Sequence, residues 1–190
     1  MTSKIIPVEP FDYVIFGGTG DLAQRKLLPA LYHRWKDGQI PESSKIIGAS
    51  RSEMSDEAFR AFAFEACEEA TPDDIDKAEW EVFEKHLFYL TMDATDKEAD
   101  WQALDRLIDK SADQVCIFYL AVTPKIYVPI AKALGAAGFA ERNTRVVLEK
   151  PIGTDLESAK AINEGVGAIF PETRIYRIDH YLGKETVQNL

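Results

Sequence analysis

One junction constrains this chain more than any other feature. FDYVIFG (11–17), a short run of apolar residues, passes directly into GGTGDLA (17–23). That turn opens DLAQRKLLPALYHRWKDG (21–38), where Leu22, Leu27, Leu28, Leu31, Tyr32 and Trp35 recur at helical spacing and Gly38 supplies a stop. A buried strand, a glycine turn and a helix follow one another without a linker. Near-continuous apolar strands of this kind need cover on both faces, which a parallel sheet flanked by helices provides.

The rest of the chain repeats the alternation. Strands are expected at SKIIGASR (44–51), HLFYLTMD (86–93), QVCIFYLAV (114–122), TRVVLEK (144–150) and TRIYRID (173–179). Helical spacing runs from Ser55 to about Glu84, broken at Thr71-Pro72, and again near 96–111, 125–137 and 155–169. The expected fold class is α/β: a doubly wound, Rossmann-like parallel sheet with helices on both faces.

The glycine turn has a chemical reading. Gly17 permits a tight turn, and Gly20 lets the backbone approach a pyrophosphate at a helix N-terminus, where free N–H groups favour negative charge. Ala23 is small enough for helix and strand to pack closely. The end of the second strand adds a second signal. A site for NAD tends to place Asp or Glu there for the ribose 2′-OH, whereas this chain has Arg51 followed by Ser52. A guanidinium suits a 2′-phosphate through forked, charge-assisted hydrogen bonds, so the expected coenzyme is NADP. Each residue also has a plainer reading: a structural strand-to-helix turn and a solvated loop arginine.

Composition narrows the class. With 46% hydrophobic and 28% charged residues in 190, the chain can bury a sizeable core. Its formal charge of −10 opposes binding to nucleic acid or anionic membranes. Cys67 and Cys116 have no metal-ligand spacing, no metal is expected, and Cys116 sits inside the apolar run VCIFYLAV (115–122). The start MTSKIIPVEP lacks the apolar core of a signal peptide, and a reduced, cytoplasmic protein is expected.

The motifs GGTGDLAQRKLLPALY, the strand ending at Arg51, FYLAVTPKIY, VVLEKPIG and RIDHYLGKE occur in that order. Together they resemble the glucose-6-phosphate dehydrogenase family, the NADP-linked enzymes that open the pentose phosphate pathway. The resemblance spans essentially the whole chain. It implies a coenzyme domain over 9–178, with 179–190 beginning a second α+β domain that this chain barely enters. It also implies glucose 6-phosphate as substrate and a homodimer or homotetramer assembled through that second domain.

By resemblance, Gly17, Gly18, Thr19, Gly20, Asp21, Leu22 and Ala23 cradle the pyrophosphate, with Thr19, Arg51 and Ser52 near the 2′-phosphate. Asp93 and Ala94 border the adenine, and Tyr127 flanks the coenzyme; Thr123 stands where the family often has a second proline. Lys150 faces both coenzyme and sugar, with Pro151 a candidate cis residue. His180, Tyr181 and Lys184 hold the substrate phosphate, and Asp179 orients a catalytic histidine. The residues themselves agree: if a helix begins at or just after Asp179, His180 and Lys184 share a face at its N-terminus, a natural phosphate seat. The plainer reading of that stretch is an amphipathic helix start with surface charges.

Oxidising a sugar C1 hydroxyl needs a base, commonly a histidine oriented by a carboxylate. Of three histidines, His33 lies near the end of the first helix, His86 opens a strand, and His180 is assigned to phosphate. No histidine remains for the base, so the chain is expected to bind NADP without turnover. Two rival readings follow. One is a non-catalytic NADP-binding redox sensor. The other is a short-chain reductase, whose Tyr-x-x-x-Lys spacing is met by Tyr32 and Lys36 on the first helix and not by Tyr181 with Lys184.

Overall fold

The computed structural model describes residues 8–179 apart from 73, 110, 112 and 113. Its centre is one parallel sheet of six strands: β1 (Phe11–Phe16), β2 (Ile46–Ser50), β3 (Leu87–Thr91), β4 (Val115–Leu120), β5 (Thr144–Glu149) and β6 (Ile175–Ile178). They lie in the order β3-β2-β1-β4-β5-β6. The sheet therefore grows from β1 in both directions, and the reversal falls between β1 and β4. That reversal opens a crevice at the strands' carboxyl ends, where ligands of open α/β sheets bind.

Side chains alternate between two cores, as the period of a strand requires. Val14 and Phe16 join Ile47, Phe118, Leu120, Val146 and Leu148 on one face. There they meet Leu104 of α4 (Trp101–Leu107), Ile130 and Leu134 of α5 (Tyr127–Ala136), and Ile162 and Val166 of α6 (Leu156–Gly167). Ile15, Ile46, Leu87, Tyr89 and Tyr119 occupy the other face. They are covered by Leu28 and Tyr32 of α1 (Leu28–Lys36), Phe59 of α2 (Asp56–Ala70), and Trp80 and Phe83 of α3 (Lys77–Phe83). Register fixes the assignment: Val14 pairs with Ile47 on one side and Phe118 on the other.

Local signals explain the helix ends. A π-helical turn (Ala23–Leu27) leads into α1, and Gly38, at φ +69°, ends the run where a glycine was expected to. Ser55 caps α2 by accepting from Ala58 N, and the break at Thr71-Pro72 separates α2 from α3. The helix expected over 96–111 is shorter, covering only Trp101–Leu107. Asp93 and Asp96 accept from the backbone N–H groups of Thr95 and Glu98 and hold turns, and the helix waits for Asp100, which caps Ala103 N. No helix of the described residues is long and apolar enough to cross a membrane.

Candidate functional site

The crevice at the β1/β4 reversal is an open cleft of about 460 Å³. Its floor is Phe16, Gly17, Thr19 and Gly20 from the first strand and turn, and Ala49 to Ser52 from the end of β2. One wall is Met92 to Thr95, after β3; the other is Val122 and Thr123, after β4, with Ile126 and Ile130. Four separate stretches of chain thus converge at the carboxyl ends of adjacent strands.

The turn is tied down on both sides. Gly17 N and Gly18 N both donate to Ala49 O, at 2.9 and 3.2 Å, and Gly20 N donates to Gly17 O at 2.9 Å. Gly17 has φ +85°, and a Cβ there would sit 2.3 Å from Ala121 O. Only glycine meets both conditions. The residue that brings the turn against β2 is Gly18: its added Cβ would lie 2.7 Å from Gly48 Cα. Gly48 in turn carries the ring of Phe59, and neither glycine contact is legible from the turn motif alone. Ala23 is fully buried in the second core, as a small residue packed under the sheet. Leu22 packs against that core, and Asp21 is exposed and paired with Arg25 at 2.7 Å.

Of the other residues expected here, Thr19, Arg51, Ser52, Asp93 and Ala94 all line the cleft. Arg51 is exposed at its mouth. Thr95 donates to the Asp93 carboxylate through its hydroxyl and its backbone N–H, holding that carboxyl below its usual range; the nearby Arg51 charge adds to the effect. Ser50, unremarked in the sequence, lies between Thr19 and Tyr89, its Oγ 2.9 Å from Thr19 Oγ1 and 2.6 Å from the Tyr89 hydroxyl.

Tyr127 begins α5 beside the cleft. It is 1% exposed and absent from the cleft walls, where Ile126 and Ile130 stand instead. A short 3-10 turn, Pro124–Ile126, leads directly into α5 at Tyr127. Its hydroxyl donates to Glu149 O at 3.1 Å. The Tyr119 hydroxyl donates to the side chain of the same residue, Glu149 Oε1, at 2.8 Å. Burial and this carboxylate both push the Tyr119 hydroxyl's pKa upward. The two tyrosines thus hold Glu149 by its carbonyl and its carboxylate, just before Lys150, whose bond to Pro151 is cis.

Lys150 and Asp179 directly follow the neighbouring strands β5 and β6, and Lys150 Nζ lies 3.0 Å from Asp179 Oδ2. His180, Tyr181 and Lys184 lie outside the described residues. The two described histidines are at the far side of the sheet. His33 Nδ1 is 3.2 Å from Asp74, near the end of α1, and buried His86 bonds Ser44 O at 2.7 Å just before β3. The Tyr32–Lys36 pair is also remote from the cleft: Tyr32 is core, and Lys36 bonds Asp74 and Glu79. Among the described residues no group of three or more His, Cys, Asp or Glu is placed to hold a metal.

Comparison with known proteins agrees with this arrangement. The family described as glucose-6-phosphate dehydrogenase, NAD binding domain, matches residues 14–189. A glucose-6-phosphate 1-dehydrogenase of Rhizobium meliloti (strain 1021) is 52% identical over 191 residues, covering 100% of this chain and 39% of that protein. One of Gluconobacter oxydans (strain 621H) is 52% identical over 185 residues, covering 96% of this chain and 38% of that protein. A solved glucose-6-phosphate dehydrogenase in complex with its substrate glucose-6-phosphate superposes with a TM-score of 0.85 at 32% identity, over 98% of this chain and 40% of that one. The chain thus spans about two fifths of the relatives it matches. With strand order, glycine turn and cleft in agreement, the chain belongs to the glucose-6-phosphate dehydrogenase family, as its NAD-binding domain.

Proposed function

We propose that the cleft seats NADP, and that the protein to which this domain belongs oxidises glucose 6-phosphate at C1 to 6-phosphogluconolactone. The observation that carries the reading is the position of Arg51. It stands at the end of β2, on the mouth of a cleft floored by the Gly17–Gly20 turn. The residues fit the coenzyme: the turn has no room for a side chain at Gly17, so backbone forms the floor, and a cation replaces the acid that would read a 2′-OH. NADP, when bound, supplies the hydride acceptor.

The chain's own residues bind and orient. Gly17 to Gly20 offer backbone to the pyrophosphate, Arg51 neutralises the 2′-phosphate beside Thr19 and Ser52, and Asp93 and Ala94 border the adenine. Lys150 binds towards coenzyme and sugar, and Asp179 orients the base that takes the C1 proton. His180, Tyr181 and Lys184 are assigned to the sugar phosphate. In this reading 9–178 is the coenzyme domain, 179–190 opens the substrate domain, and the whole protein assembles as a homodimer or homotetramer through that second domain. Calorimetric titration of the chain with NADP tests the reading. Saturable one-to-one binding supports it, and absence of binding refutes it.

A further inference from the structure

A second cleft, of about 360 Å³, opens at the opposite end of the sheet, where β4 and β5 begin. Buried Ile108, Gln114 and Cys116 form its floor, and exposed Asp109, Ser111 and Asn143 form its rim, with Arg142 between them. The length of β4, about 20 Å, separates it from the crevice at the β1/β4 reversal. The two clefts share no residue.

The floor carries two donors that the fold leaves unused. Gln114 is 6% exposed, and its Nε2 has no hydrogen-bond partner among the described residues. The same holds for Arg142 Nη1, which is buried although the residue is not. Arg142 is nonetheless held in place. Its Nη2 lies 2.6 Å from Asp105 Oδ1, its guanidinium carbon lies 4.7 Å from the centre of the Phe139 ring, and its carbonyl accepts from Arg174 Nη1 at 2.7 Å. A buried N–H without a partner costs free energy, so two in one cavity mark a place for an acceptor.

The surrounding charge decides which acceptor. Asp12 Oδ2 accepts from Asp109 N and Asp105 pairs with Arg142, so three carboxylates gather here against Arg142 and Lys45, whose backbone N–H donates to Asp12 Oδ1. An added anion is repelled by that balance and by the chain's net charge of −10. A neutral carbonyl is not.

We infer that this cleft is a second ligand site, for a neutral planar ring that carries a carbonyl beside an N–H, as the edge of a pyrimidine base does. Gln114 and Arg142 donate to the carbonyl, and the Asp109 carboxylate at the rim accepts from the N–H. Ile108 and Cys116 supply the apolar contact. Burial holds the Cys116 thiol well above its ordinary pKa, so it meets the ring as a small neutral group.

The experiment is an NMR titration of the 190-residue chain with uracil, read at the Gln114 side-chain amide and the Arg142 Nε–H. Saturable shifts at both groups are expected, with affinity about fivefold weaker in Gln114→Leu, the worth of one hydrogen bond. N-methylated uracil, which keeps its carbonyls and loses its donors, should bind more weakly, and uracil bearing a carboxylate more weakly still. Absence of saturable shifts overturns the inference, as do shifts confined to Met92–Thr95 in the other cleft. Equal affinity in Gln114→Leu, or tighter binding of the carboxylate, also overturns it. If Gln114→Leu does not fold, Arg142→Lys, which keeps the charge and loses the forked donors, decides by the same loss.

Discussion

Gly18 and Gly48 touch backbone to backbone: a Cβ added to Gly18 would lie 2.7 Å from Gly48 Cα. The first turn is thereby held against β2, and the cleft floor is set by that contact. Gly18→Ala should cost about 1–3 kcal/mol, as overpacking against backbone does, because no flexible side chain can give way. For a domain of this size that is a fall of roughly 2–4 °C in Tm per kcal/mol, measurable by thermal unfolding. Gly17→Ala should cost more, since it adds an unfavourable φ to a 2.3 Å approach on Ala121 O. Equal stability of the Gly18 variant and the parent would mean the turn does not rest on β2.

Arg51→Ala should weaken NADP binding by about 1.5–3 kcal/mol, the worth of hydrogen bonds to a charged group, and leave NAD binding nearly unchanged. Titration of both coenzymes separates the outcomes. Equal losses would show that Arg51 shapes the cleft without reading the phosphate.

The elements are legible because most strands are near-continuous apolar runs, and because Gly38 and Thr71-Pro72 end helices where stops are expected. Arg51 was legible for the same reason: a strand end is a position that sequence can count. The contacts that finish the site are not of that kind. Thr19, Ser50 and Tyr89 meet only through the register of β1, β2 and β3, across 31 and 39 residues of chain. Gly48 reads as an ordinary strand residue until Phe59 is found on it. The burial of the Tyr127 ring at the start of α5 is likewise not legible in the motif that precedes it. The helix before β4 was expected too long because apolar spacing does not register the aspartates that hold turns ahead of it.

Alkaline stability should fall early. Burial pushes the Tyr13, Tyr119 and Tyr127 hydroxyls above their ordinary value of 10.0, and pushes the Cys67 thiol up to about 12. These groups stay neutral in the folded chain but ionise sooner once unfolded. Their contribution is therefore complete below the unfolded values, near 9 for the thiol and 10 for the tyrosines, and is lost as pH rises through the folded ones. Denaturant unfolding followed between pH 8 and 11 should show declining stability, with a shallower decline in Tyr119→Phe. An identical slope in that variant would assign the alkaline loss to the other groups.

The chain should bind NADP without measurable turnover of glucose 6-phosphate. The residues that form the cleft belong to one sheet with a core on each face, so the coenzyme site needs nothing beyond them. Catalysis needs a base at the carboxyl edge, beside Lys150 and Asp179. Of the described histidines, His33 and His86 stand at the opposite edge, one paired with Asp74 and the other bonded to Ser44 O. His180 is assigned to the sugar phosphate in the proposed function. Loss of a positioned base costs about 10²–10⁴-fold, and loss of groups that orient the sugar removes a further proximity term. A sensitive assay of NADPH formation on chain freed of host enzyme, with saturating glucose 6-phosphate, checks this. Turnover within about a hundredfold of a full-length relative would assign the base to His180, since neither other histidine can reach the carboxyl edge without unfolding the strand or helix that holds it.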